Sequence, residues 1–80
     1  MPLLLTPGAY TYNRTYEYQL SLWLDTVQNS PDKARPHNNL GFAYALEGEP
    51  ENARQHYLTA LRLKPDYELA RNNLAHLPAP

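Results

Sequence analysis

The 80-residue chain has no cysteine. That removes disulfides, thiolate metal ligands and a cysteine nucleophile in one step. It has no isoleucine and a single valine, Val27, so the β-branched apolar/polar alternation that builds strands is missing. No apolar run approaches the roughly 18 residues that a membrane-spanning helix needs. The opening Met1-Pro2-Leu3-Leu4-Leu5 is apolar, but Pro2 and Pro7 interrupt it and no basic residue precedes it. It reads as an N-terminal arm over residues 1–12 rather than as a secretory signal. Charge of one sign is also lacking: seven Lys and Arg against eight Asp and Glu leave a net charge of −1. Neither nucleic acid nor an anionic bilayer would be held by such a balance, and direct membrane contact is not expected. At this length the chain forms one small domain with a thin core.

What the chain does have is proline, eight residues of it, placed as punctuation. Pro31, Pro36, Pro50 and Pro65 fall at or near the joints between runs of helical periodicity. The spacing predicts an all-α fold of four helices, at about 13–28, 32–47, 50–63 and 66–77, with a tail at 78–80. The first opens at Asn13 or Thr15 and carries the stripe Tyr16, Leu20, Trp23, Leu24 and Val27. Asp32 is the expected cap of the second, and Gly48 its left-handed C-terminal stop. Pro50 suits the first turn of the third, and Asp66 is the expected cap of the fourth.

The chain also matches itself at an offset of 34 residues. Pro31-Asp32 lies over Pro65-Asp66 and Asn38-Asn39-Leu40 over Asn72-Asn73-Leu74, with the small Gly41 over Ala75. The same offset sets Trp23 over Tyr57, Leu24 over Leu58 and Val27 over Leu61. A fixed period of this length, each unit a helix pair, is a repeat signature. The residues Leu40, Gly41, Tyr44, Ala53, Tyr57 and Pro65 stand at the spacing Leu-Gly-x2-Tyr…Ala-x3-Phe…Pro, with His37 where the first aromatic is usual and Tyr57 in place of Phe. On these residues the chain resembles the tetratricopeptide repeat family over about 15–77. It would hold the second helix of one repeat, a full repeat, and the first helix of another.

Small residues in this pattern fit close helix approach: Gly41 and Ala75 on first helices, Ala53 and Ala60 on the third helix. Leu40, Tyr44, Tyr57 and Leu61 would fill the space between. The resemblance implies antiparallel helix pairs in a short right-handed solenoid, with the first helix of each repeat lining a concave groove. Its groove positions here are Arg35, Asn38, Asn39, Phe42, Ala45 and Leu46, then Leu69, Asn72, Asn73 and His76. Asparagine amides both donate and accept, which suits capture of an extended backbone, and Arg35 suits a carboxylate. The lysine and asparagine pattern by which some family members grip a C-terminal carboxylate is not met, because Asn38 and Phe42 stand at the positions concerned.

A second, weaker resemblance links Thr11–Tyr16, Leu22–Val27 and the Pro-Asp…Asn-Asn-Leu-Gly stretch to the repeat-bearing tail of bacterial protein O-mannosyltransferase-like membrane proteins. It implies a non-catalytic tail on the non-cytoplasmic side, whereas a free-standing protein of this kind would be cytoplasmic.

Catalytic and metal chemistry find little support. His37, His56 and His76 are 19 and 20 residues apart, so no two share a turn as ligands, and they read as helix-surface histidines. Glu47, Glu49 and Glu51 read as a solvated helix junction, since a calcium loop needs more oxygen ligands. No cofactor motif is present and no metal site is expected. The expectation is therefore a protein-interaction module and not an enzyme. Its partner is a peptide or helix in the groove or, alternatively, a second copy stacked through the apolar terminal helices.

Overall fold

A computed structural model describes residues 6–78, with side chains from residue 17 onward. Four α-helices follow in order: α1 (Thr6–Asn29), α2 (Ala34–Leu46), α3 (Pro50–Leu63) and α4 (Glu68–Ala75). The described residues contain no strand, as the scarcity of β-branched residues requires. Neighbours in sequence pack on one another, most extensively α2 on α3, and α4 also reaches back to α2.

Helix ends differ from the sequence expectation in an instructive way. α1 starts at Thr6 rather than Asn13, so most of the expected arm is helical, and Asn13 and Thr15 lie inside the helix. Pro7 is compatible with this because a first turn has no intrahelical use for the missing N–H. Residues 1–5 and 79–80 of the expected arm and tail lie outside the described residues.

Neither Asp32 nor Asp66 caps a helix. The N-cap positions belong to Lys33 and Tyr67, and neither offers a side-chain cap. Instead the Lys33 N–H donates to the Ser30 carbonyl at 3.2 Å, and the Tyr67 N–H to the Lys64 carbonyl at 3.0 Å. Each repeated Pro-Asp pair thus occupies the middle of a β-turn, proline at its favoured second position. The turn takes the two residues that a cap reading would have given to the helix, so α2 and α4 begin two residues late. α4 also ends at Ala75, with Leu77 in a following turn.

The α2–α3 joint follows expectation. Gly48 has φ +81°, the left-handed region where a side chain is strained. The Glu49 N–H donates to the Tyr44 carbonyl at 2.9 Å, and the Gly48 N–H to the Ala45 carbonyl at 3.1 Å. This pair of bonds is the Schellman termination, and it satisfies carbonyls that the helix end would otherwise orphan. Pro50 then starts α3 at its first position.

The core lies along the α2–α3 seam. Leu40, Ala53, Ala60 and Ala70 are 0% exposed, and Ala43 and Tyr57 are 1% exposed. Ala70 belongs to α4; of the five on α2 and α3, three are alanines, so the seam is built on closeness rather than on bulk. Gly41 shows how close: a Cβ there would sit 2.7 Å from Cδ1 and Cε1 of Tyr57 and 3.1 Å from the Ala53 carbonyl oxygen. Tyr57 is the largest fully buried side chain, and its burial pushes the phenol up to about 12. On α1, Leu20, Trp23, Thr26 and Val27 are half-buried, while Leu24, expected in the stripe, is 36% exposed. The repeat register also fails at one point: Ala75, counterpart of Gly41, is exposed.

Gly41→Ala is therefore expected to lose about 1–3 kcal/mol by overpacking, outweighing the roughly 0.5–1 kcal/mol that alanine gains inside a helix. Gly48→Ala meets open space and loses only the backbone cost of about 1–2 kcal/mol. Urea denaturation measures both, and a neutral Gly41→Ala would mean the seam is looser than described.

Candidate functional site

The expected groove residues lie on α2 and α4, and the structure joins those two helices by one specific bond. The Asn73 amide donates from Nδ2 to Oδ1 of Asn38 at 3.0 Å. Asn38 is 2% exposed, so its side chain serves this helix-to-helix link and is not free to meet a ligand. Asn73 is half-buried and engaged in the same bond.

The other groove positions are more open. Arg35, Phe42, Leu69, Asn72 and His76 are exposed, while Asn39, Ala45 and Leu46 are half-buried. Phe42 and Leu69, at 49% and 53% exposure, are large apolar groups left facing water. On α2, positions 35, 38, 39, 42 and 46 follow the three- and four-residue spacing of one helix face, as do 69, 72 and 73 on α4 with His76 at its C-cap. The Asn38–Asn73 bond sets these two faces edge to edge. His76 spends its Nδ1 on the Asn72 carbonyl at 2.7 Å.

At one end of the joined faces lies an open cleft of about 460 Å³, lined by Lys33, Ala34, Arg35, Lys64, Tyr67 and Leu69. Lys64 stands 3.6 Å from Asp66, an exposed pair worth little. Lys33 and Arg35 have no ion-pair partner among the described residues. Of the cleft residues, sequence reasoning had singled out only Arg35 and Leu69 for the groove. Lys33 and Tyr67 sit in turns that the expected helix ranges absorb, and Lys64 lies in the joint between the third and fourth ranges, where no groove position was expected. At the opposite end, Arg54 donates to the Pro78 carbonyl at 3.0 Å and ties the chain beyond α4 to the start of α3.

The histidines are not all surface residues. His37 is buried, and its Nε2 lies 2.8 Å from the Pro31 carbonyl. A carbonyl can only accept, so that nitrogen carries the proton and Nδ1 of the neutral ring is an acceptor. Nδ1 of His56 lies 3.2 Å away and donates to it. The Tyr44 ring lies parallel to His56, centroids 5.6 Å apart. His37 thus fills the usual aromatic position of the motif with a hydrogen-bonded ring. No group of three metal-ligating side chains occurs among the described residues, and two histidines alone make no closed metal site.

Comparison with known proteins agrees with this geometry. Residues 34–67, the segment running from α2 through α3 to Tyr67, match the tetratricopeptide repeat family. The chain is similar to the human protein named "Protein O-mannosyl-transferase TMTC1", with 41% identity over 51 residues, 64% of this chain. It spans only 6% of that protein's length. No solved structure gives a significant match.

Asn73→Ala leaves the buried Asn38 oxygen without its donor and should cost about 1–3 kcal/mol. With Asn38→Ala in a double-mutant cycle, the coupling should be about 1 kcal/mol. Additive effects in urea titrations would mean that the bond does not join α2 to α4.

Proposed function

With the tetratricopeptide repeat match at residues 34–67 as the premise, we propose that the chain is a binding module that holds an extended peptide or partner helix against the joined faces of α2 and α4. The observation that carries this reading is the pair Phe42 and Leu69, apolar and half-exposed, on two helices that the Asn38–Asn73 bond fixes side by side. Arg35 and the exposed amide of Asn72 supply polar contacts beside them, and Asn39 and Leu46 border the strip. Burying such an apolar pair on a partner contributes about 1.5–3 kcal/mol for each fully covered side chain.

Self-association is the second reading, favoured by Tyr18 and Leu22, one turn apart on α1 and 72% and 46% exposed. An apolar strip on a terminal helix is what a stacked second copy would cover. The likeness to an O-mannosyl-transferase also supports placing the chain as a non-catalytic helical segment of a transferase-like protein.

The test is selection from a random dodecapeptide display library, with mass by light scattering in parallel. The wild-type chain should enrich a defined peptide set. Phe42→Glu with Leu69→Glu should weaken the selected peptides at least about tenfold, while the mass and the melting curve stay unchanged. Retained binding would move the site away from α2 and α4. A wild-type mass that doubles with concentration and falls on Leu22→Glu would favour self-association.

A further inference from the structure

The His37–His56 contact has no use in partner binding as described, yet it lies inside the seam on which α2 is held. Its geometry allows one arrangement of protons. The Pro31 carbonyl fixes a proton on Nε2 of His37, and the 3.2 Å between the two Nδ1 atoms has room for a single hydrogen. The ring centroids are 5.5 Å apart and the rings lie within 19° of one plane, so the two nitrogens meet head to head. A proton added to His37 can go only to Nδ1, where it meets the N–H of His56. For both rings to be charged, two N–H groups and two positive charges must face each other at hydrogen-bond distance.

Among the described residues no carboxylate is ion-paired with either ring. The hydrogen bonds of the pair are to each other and to Pro31 alone, and Tyr44 offers His56 a ring face. Glu17 and Asp25 on α1, Asp32 and Lys33 in the α1–α2 turn, Arg35 on α2, Glu51 and Arg62 on α3, and Glu68 and Arg71 on α4 are all exposed to solvent. Glu51 and Glu68 already face Arg54 and Arg71. Glu47 and Arg54, half-buried, make no bond to either ring.

We propose that the His37–His56 pair is a proton-sensitive latch: neutral, it closes α2 on α3, and full protonation in mildly acid solution weakens the seam and, with it, the hold on the α2 face. The first step stands on the geometry of the pair; only the loss of the α2 face as a binding surface rests on the function proposed above. Burial, and then the neighbouring His37, hold His56 below the usual histidine range. A depressed histidine favours the folded state above the unfolded value of about 6.5, and that stability is lost as pH falls, because the unfolded chain takes up protons that the folded pair refuses. Each ring that stays neutral lowers the folded-to-unfolded ratio about tenfold between pH 7.5 and 5.5.

The test needs no partner. Urea denaturation at pH 7.5, 6.5 and 5.5 should show at least that tenfold drop for the wild type. His56→Gln can turn either its amide N–H₂ or its oxygen towards His37 and cannot be charged, so its profile should be much flatter. Equal pH dependence in the two proteins, or no dependence in the wild type, overturns the latch. Should His56→Gln not fold, imidazole ¹⁵N shifts of the wild type decide. One ring resisting protonation down to pH 5.5 is the expected result, and two rings titrating independently near pH 6.5 overturn the proposal. A flat profile leaves peptide selection at pH 7.5 untouched, and failure of that selection leaves the latch untouched, so the two ideas fail separately.

Discussion

The crossing of α2 and α3 at Gly41 is the constraint on which the rest of this small structure depends. With Tyr57 ring carbons 2.7 Å from where a Cβ on Gly41 would stand, no larger residue fits without displacing that ring or α3 itself. The remaining buried positions are mostly alanine methyls, which gain dispersion energy only while the backbones stay close. A core of bulky side chains can absorb a small separation by changing rotamers. A core of methyl groups cannot. The Gly48 turn belongs to the same constraint, since it returns the chain antiparallel and satisfies the end of α2 on the way.

From that seam the arrangement spreads outward by single contacts. Asn38, one turn from Gly41 on α2, carries the position of α2 over to α4 through Asn73. His37, on the same turn, carries it to α3 through His56 and to the preceding turn through Pro31. The surface offered to a partner is therefore a consequence of packed geometry: Phe42 and Leu69 stand on two helices whose relative placement is fixed by the Asn38–Asn73 amide pair. A polar bond in a thin core suits this purpose, because it specifies one relative placement where apolar contact would tolerate several.

Much of the fold was legible in the 34-residue offset and in the glycines and prolines. Gly41, Gly48 and Pro50 each have a local physical reason, and each behaves as its spacing predicts. The Pro-Asp pairs were misread because aspartate favours both a helix cap and a turn, and the preceding proline decides for the turn. Asn38 was assigned to the groove on the family resemblance, which places it on the inner face of a first helix. It lies at the edge of that face next to α4, and spacing does not say which edge a neighbour will cover. The histidine pair was hidden for a different reason. A separation of 19 residues excludes a shared turn on one helix but not a meeting across a hairpin, where a step back along α2 matches a step forward along α3. Gly41 opposite Ala53 and Tyr57 fixes that register, and one turn further along it brings His37 to His56.

Native-state hydrogen exchange would test the central claim, that the α2–α3 seam is the stable unit and the other helices depend on it. Amides of Leu40–Tyr44 and Ala53–Ala60 should exchange slowest, at the rate of global unfolding, with α4 and residues 17–29 of α1 opening earlier. Residues 17–29 of α1, or the amides of α4, exchanging as slowly as the seam or more slowly would contradict it.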